Sequence, residues 1–149
     1  MVWAAFWGSG RSDIVSVPYD PESQRGGVSS HSYLEMLKEL IPSVWEPGLI
    51  FMRDNASIHT AKIIQEWPAY SPDLNPIEQC WAWIKDWISK HYPDLDSLPK
   101  RGNIAKDALL NAITEAWEEM KDEMLENLID SMPRRYAAVV EAKGRYTKY

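Results

Sequence analysis

The apolar run at residues 49–52 constrains the fold of this chain more than any other segment. It follows Pro47 and Gly48, which favour a turn, and it stops just before Arg53 and Asp54. Four successive apolar residues between such boundaries are typical of a short strand that is buried on both faces. The pattern therefore predicts a sheet with Asp54 at the carboxyl end of a buried strand, which is the edge where sites of open α/β sheets lie.

Further strands and a helix are predicted before this run. Residues 2–7 and 14–17 are apolar or β-branched, and the glycine- and serine-rich segment between them predicts a hairpin. Ser32 and Glu35 fit a capping box that would start a helix ending at Pro42. The predicted buried face of this helix contains Tyr33, Leu34, Leu37, Leu40 and Ile41.

The remainder is predicted to be helical around a proline-rich loop. A short helix over residues 58–67 precedes the loop, a helix after it stops at Pro93, and a last helix starts at Pro133 and ends at Gly144. Apolar residues at helical spacing mark the helices after the loop: Ile77, Trp81, Ile84 and Ile88 in one, Ala105, Ala108, Leu109, Ala112, Ile113, Ala116, Trp117 and Met120 in the next, then Leu125, Leu128 and Ile129. This order of elements favours an α/β sheet with flanking helices and a helical C-terminal part over an all-helical bundle.

Composition narrows the class of protein. A length of 149 residues suits one domain spanning 1–149, and 45% apolar residues with eight tryptophans can form a sizeable core. The one cysteine, Cys80, excludes an internal disulfide framework, and no apolar run approaches the roughly 20 residues of a membrane span. We expect a soluble intracellular protein without a membrane partner.

The charge pattern leaves two interpretations of the C-terminal segment open. The net charge of −6 argues against a protein that coats nucleic acid. From residue 133 onward, however, the sequence contains five basic residues and one acidic residue, Glu141. Arg134, Arg135 and Lys143 are therefore candidates for contacts with DNA phosphates, and a solvated basic end explains the same pattern equally well.

Glu78 has both a structural and a functional interpretation. Asn75 as N-cap, Pro76 at the first helical position and Glu78 at the third would form a helix start whose carboxylate complements the helix dipole. A second carboxylate, Asp54, lies upstream, and converging carboxylates persist when a cation such as Mg²⁺ holds them together. Taken alone, Glu78 is better explained as part of the helix start.

Two sequence blocks favour the functional interpretation. Residues 54–61 read DNASIHTA and residues 67–78 read WPAYSPDLNPIE, a long two-part match that resembles the catalytic core of Tc1/mariner-type DDE transposases. The segments SMPRR at 131–135, EAKG at 141–144 and YTKY at 146–149 resemble the C-terminus of fungal Tc1-like members. The resemblance thus extends over nearly the whole chain.

The resemblance implies a fold, a site and a substrate. It implies an RNase H-like fold in which Asp54 and Glu78 are the second and third catalytic carboxylates and ligands of Mg²⁺ or Mn²⁺. Asn55, His59 and Asn75 would support this site. The implied activity is metal-dependent cleavage and transfer of DNA strands at transposon ends, in the nucleus.

The sequence also departs from the family pattern. The family's first catalytic Asp lies on a strand directly upstream of the predicted hairpin, and 23 residues (78 − 54 − 1) separate Asp54 from Glu78, fewer than is usual. We therefore expect the first strand and one later strand to be absent. Residues 2–7 would then pair directly with residues 49–52, borrow a strand from another molecule, or leave an exposed edge, and homo-oligomerisation is one expected outcome.

Three hypotheses follow for the function. The first is a truncated DDE transposase catalytic domain, which we expect not to transfer strands alone because one of three carboxylates is absent. The second is a non-catalytic module that binds nucleic acid or another protein. The third is a structural domain in which Glu78 only caps a helix.

Overall fold

The computed structural model describes residues 1–8, 10–23, 26–45, 49, 51–52, 61, 75–97 and 103–142. Over these residues the protein is mixed α/β, with short antiparallel strands at its start and helices after them. The strands are β1 (Val2–Trp3), β2 (Phe6–Trp7), β3 (Gly10–Arg11) and β4 (Val15–Ser16). The helices are α1 (Ser30–Val44), α2 (Ile77–His91), α3 (Asn103–Glu119), α4 (Asp122–Asp130) and α5 (Met132–Glu141), with a 3₁₀ turn at Leu95–Ser97.

The protein divides into two compact units. The described residues of Met1, Val17–Asn75 and Asp130–Tyr149 form one unit, and those of Val2–Ser16 and Pro76–Ile129 form the other. Every described helix falls short of the length and apolarity that a membrane span needs. The single domain over 1–149 stays a prediction.

The predicted hairpin is confirmed, but it consists of two separate ladders. β1 pairs with β4 and β2 pairs with β3, each over two residues. Between them the Ser12 hydroxyl accepts a hydrogen bond from the Ala5 amide at 2.9 Å, while the Ser12 amide donates to the Ala5 carbonyl at 2.8 Å. The hydroxyl of Ser12 therefore replaces a backbone acceptor and interrupts the ladder. The turn is also shorter than predicted, because Gly10 and Arg11 belong to β3.

The start of α1 lies earlier than the sequence predicted. The N-cap is Ser29, whose hydroxyl accepts from the amides of His31 and Ser32, and the Ser32 hydroxyl completes the capping box. The predicted box of Ser32 with Glu35 is therefore wrong. Ser29 also donates to the Asp20 carboxylate at 2.5 Å, and this hydrogen bond lowers the pKa of Asp20. The contact ties the helix start to the preceding loop. It explains why Ser29, rather than a neighbouring serine, is the N-cap of α1.

The end of α1 also differs from the prediction. The helix continues through Pro42 to Val44, and the Trp45 amide donates to the Ile41 carbonyl at 2.9 Å. Proline removes its own N–H group but leaves the following hydrogen bonds intact, so it does not end the helix here. The predicted buried face is confirmed except that Met36 is buried and Leu40 is only half-buried: the buried residues are Tyr33, Leu34, Met36, Leu37 and Ile41.

The strand predicted at residues 49–52 is not confirmed in the part of the protein that the structure describes. Leu49 and Phe51 have no regular structure, Met52 forms a single bridge, and Ile50 lies outside the described residues. The helix predicted at 58–67 lies outside them as well, apart from Ala61. The described strands form two-stranded sheets only, so the larger RNase H-like sheet stays a prediction.

The last two helices agree with the sequence pattern except at the ends of α5. Leu125 is buried in α4, as its predicted stripe requires. The predicted start of the last helix at Pro133 is one residue late, because α5 begins at Met132. It ends at Glu141, and the predicted terminator Gly144 lies outside the described residues.

The core of the unit that contains α2 joins the hairpin to the helices. Its fully buried members are Ala4, Cys80, Ile84, Ala116, Trp117, Met120 and Leu125. Trp81 stacks on Trp117 with ring centroids 6.4 Å apart. Burying a tryptophan such as Trp117 removes about 150–250 Å² from water, which contributes about 4–6 kcal/mol. Burial raises the pKa of the Cys80 thiol to about 12, so this cysteine stays protonated and serves packing.

The guanidinium of Arg11 fastens the hairpin to the end of α3. It donates to the carbonyl oxygens of Trp117 at 2.6 Å and Met120 at 2.8 Å, and to that of Glu118 at 3.2 Å. It also lies over the Trp117 ring, 5.6 Å from the centroid. The Trp117 indole N–H returns a hydrogen bond to the Ser12 carbonyl at 2.7 Å. The last carbonyls of a helix have no partners within it, so the guanidinium of Arg11 caps the C-terminal end of α3.

We expect Arg11→Met to lower the free energy of unfolding by about 2–4 kcal/mol, because carbonyls at the end of α3 lose charge-assisted partners while the apolar stem is kept. Urea denaturation followed by tryptophan fluorescence measures the change. Asp122→Asn is the matched control: its carboxylate is 3.7 Å from Arg11 but highly exposed, so we expect a change below about 0.5 kcal/mol. Equal effects of the two substitutions would contradict the capping role.

Candidate active site

Glu78 lies in the first turn of α2, one residue after the helix begins. The residue is exposed, and within the part of the protein that the structure describes it makes no hydrogen bond or ion pair. The helix N-terminus carries partial positive charge, which interacts favourably with an acidic side chain in the first turn. A rigid helix thus presents a carboxylate oxygen ligand to solvent.

The helix start predicted around Glu78 is wrong in its details. The N-cap is Pro76, which has helical backbone angles and supplies no capping hydrogen bond, so Asn75 does not cap α2. Glu78 occupies the second helical position rather than the third and completes no capping box. The structural interpretation of Glu78 is therefore reduced to its interaction with the helix dipole.

The partner carboxylate and two supporting residues cannot be placed against Glu78. Asp54, Asn55 and His59 lie outside the described residues, and Asn75 is described and half-buried. Among the described residues no group of three or more His, Cys, Asp and Glu could hold a metal ion. The described geometry of the predicted site is therefore that of Glu78 and its helix.

The exposed face of α2 carries a residue that the sequence analysis did not select. Glu78, Ala82, Lys85 and Ser89 follow one another at intervals of four, three and four residues, and all four are exposed. Lys85 lies two turns, about 10.5 Å, beyond Glu78 on the same face. Lys90 pairs with Asp86 at 2.6 Å, whereas Lys85 has no ion-pair partner among the described residues. The helical period counted from Glu78 is the signal that would have found Lys85.

Of the basic residues predicted to contact DNA, Arg134 and Arg135 lie among the described residues, and they differ in exposure. Arg134 is exposed. Arg135 is 5% exposed and its Nε donates to the Ser131 hydroxyl at 2.7 Å, so it belongs to the interior of its unit. Lys143 lies outside the described residues. The burial of Arg135 does not suit a phosphate contact in this conformation.

Comparison with known proteins defines the class of protein to which this chain belongs. A family described as "DDE superfamily endonuclease" matches residues 21–99, more than half of the chain and a span that includes both Asp54 and Glu78. The chain belongs to this family. Its relatives among curated proteins are transposases of the Tc1 type, and the match makes it a Tc1/mariner-type DDE transposase catalytic domain.

The individual relatives are longer than this chain. The "Transposable element Tc1 transposase" of Caenorhabditis elegans is 35% identical over 113 residues, covering 68% of this chain and 38% of that protein. The "Transposable element Tcb2 transposase" of Caenorhabditis briggsae is 29% identical over 167 residues, covering 100% and 54%. The "Transposable element Tc3 transposase" of C. elegans is 29% identical over 164 residues, covering 100% and 45%. The chain thus spans about half, or less, of the length of these relatives.

The alignments also indicate a difference inside the matched region. The match to the Tcb2 transposase takes in all 149 residues of this chain over 167 positions, so at least 18 of those positions (167 − 149) have no counterpart here. The short interval from Asp54 to Glu78 indicates a length difference of the same kind.

We expect Glu78→Gln to lower the free energy of unfolding by no more than about 0.3–1 kcal/mol, because only the interaction with the helix dipole is lost. Urea denaturation measures this change. Glu126→Gln, at an exposed position in the middle of α4, makes the same chemical change away from a helix start and controls for the change of helix propensity. A loss of several kcal/mol for Glu78→Gln would mean that Glu78 is a structural residue after all.

Proposed function

We propose that Asp54 and Glu78 together bind a divalent metal ion and form part of the centre at which a DDE transposase cuts and joins DNA strands. The observation that carries the proposal is the Glu78 carboxylate, exposed at the start of a rigid helix and unpaired among the described residues. An exposed carboxylate held in this way is available for a ligand. The family match over residues 21–99 supports Asp54 as the second carboxylate.

The donor set fits Mg²⁺ or Mn²⁺, which take carboxylate oxygens and keep several waters. Bound there, the metal would supply Lewis-acid activation of the attacking oxygen and would neutralise charge on the phosphodiester. The protein contributes the position of the ligands. Glu78 is held by the backbone of α2, which fixes the direction from which its carboxylate can approach a ligand.

Lys85 would bind the substrate backbone beside this centre. Ala82 and Ser89 have small side chains, so this exposed face of α2 leaves room for a bound strand beside Glu78 and Lys85. A DNA strand lying along this face would place a phosphate near the exposed Lys85 ammonium while the reacting phosphate sits at Glu78. We propose DNA as the substrate, an RNase H-like arrangement as the complete fold and the nucleus as the location, as the resemblance to Tc1-type transposases implies.

Thermal melting with and without Mn²⁺ tests the metal site. If Mn²⁺ is supplied at ten times its Kd, we expect a stabilisation of about 1.4 kcal/mol, or a rise in Tm of about 3–6 °C. We expect the rise to disappear in Asp54→Asn and in Glu78→Gln, since each removes one charged ligand. Asp86→Asn, on the same helix but paired with Lys90, is the control and should keep the response.

Other responses would separate the remaining hypotheses. A melting curve that Mn²⁺ leaves unchanged in the parent protein would contradict the proposed site. DNA binding that needs no metal and falls steeply with salt would then favour a non-catalytic nucleic-acid-binding module.

The role of Lys85 has its own test. We expect Lys85→Ala to weaken binding of a fluorescein-labelled DNA duplex and to reduce the slope of log K against log salt by about one, because one phosphate contact is lost. Fluorescence anisotropy over a salt series measures both. Lys90→Ala removes the same charge from a lysine already paired with Asp86, and should change affinity less. Equal losses for both would show that net charge, rather than position on α2, determines binding.

A further inference from the structure

Helix α5 carries an apolar stripe on its outer face. Pro133, Tyr136, Ala137 and Val140 stand at positions i, i+3, i+4 and i+7, and all are exposed. Tyr136 is 66% exposed and Val140 60% exposed, the largest exposed side chains of the stripe. Residues at this spacing form one continuous face of a helix.

The outer stripe is distinct from the face by which α5 joins its own unit. Ser131 and Arg135 are buried, and Met132, Ala138 and Val139 are half-buried, on the opposite side of the helix. Packing against the described residues therefore does not explain Tyr136 and Val140. Single exposed apolar residues are ordinary, but a helical stripe of them indicates a surface that packs against something else.

The charges beside the stripe indicate what packs there. Arg134 and Glu141 are both exposed and stand seven residues apart, so they lie on the same flank of the stripe, about 10.5 Å from one another. Their midpoint falls between Ala137 and Ala138, and the midpoint of the stripe falls between Tyr136 and Ala137. The charged pair and the stripe thus share nearly the same centre.

This arrangement is self-complementary in one orientation. When two copies of α5 pack antiparallel about a twofold axis through that centre, Arg134 of each copy faces Glu141 of the other on the same flank. A parallel pair would instead place the charged flanks of the two copies on opposite sides of the contact, so that Arg134 of one copy would not face Glu141 of the other. The opposite ends of the stripe also meet, and Tyr136, which stands next to the centre, lies beside Tyr136 of the second copy.

We propose that the outer face of α5 is a self-association surface at which two copies of this protein pack antiparallel through Pro133, Tyr136, Ala137 and Val140, with reciprocal ion pairs between Arg134 and Glu141. A ten-residue helix offers a small contact area, below that of stable dimers. The dimer is therefore weak, with a Kd in the micromolar range or above.

Sedimentation of the purified 149-residue chain, without DNA, tests this proposal from about 1 μM to about 1 mM, the range of weak association. We expect a concentration-dependent dimer that Tyr136→Ser weakens at least about tenfold. Arg134→Glu and Glu141→Arg should each weaken it about 5- to 20-fold, because symmetry replaces two attractive contacts by two repulsive ones. The double variant Arg134→Glu/Glu141→Arg should return to within about twofold of the parent.

The charge exchange is the decisive comparison, because all three side chains are exposed and circular dichroism can verify that each variant is folded. Two outcomes would overturn the proposal at once: a parent protein that stays monomeric throughout, or a dimer indifferent to Tyr136→Ser. Failure of the double variant to recover would exclude the antiparallel pairing. A loss of DNA affinity in Arg134→Glu with unchanged self-association would assign Arg134 to phosphate contact and would also overturn it.

Discussion

The guanidinium of Arg11 is the contact on which one unit of this protein depends. α3 ends at Glu119 and α4 begins at Asp122, so the last carbonyls of α3 have no partners within their own helix. Arg11 reaches three of these carbonyls at once, which only a side chain with several donors in a fixed fork can do. Trp117 is held in return by the Ser12 carbonyl, and around this reciprocal contact the hairpin, α2 and α3 enclose the buried cluster.

Periodic features of the sequence predicted the local structure well, because they depend on neighbours along one helix. The stripe from Ile77 to Ile88 located α2, and Ala112, Ala116 and Trp117 were placed on the buried face of α3. Contacts between distant segments were not predictable in the same way. Ser29 was overlooked as a cap because its choice over Ser32 depends on Asp20, and the role of Arg11 depends on residues more than 100 positions away.

The candidate site likewise has features that the sequence predicted and features that it did not. The motif identified Glu78, and its helix is where the prediction put it, but the capping pattern around it was misleading because Pro76 takes the N-cap position without supplying a capping hydrogen bond. Composition marked Arg135 as a surface cation, yet the backbone of α5 turns it inward to Ser131. Residue type predicts chemistry, whereas the rotation of a helix about its axis decides whether that chemistry reaches solvent.

The separation between Arg11 and its acceptors has a consequence for biosynthesis. The acceptor Trp117 follows Arg11 by 106 residues, so at a translation rate of about 5–20 residues per second the hairpin waits about 5–20 s before its docking partner is made. During that interval the apolar side chains of Trp3, Phe6 and Trp7 have no completed core to enter. A two-stranded hairpin is only marginally stable by itself, so the nascent polypeptide exposes an aggregation-prone segment until α3 has been synthesised. Covering this segment until α3 has been synthesised would therefore protect the chain from aggregation.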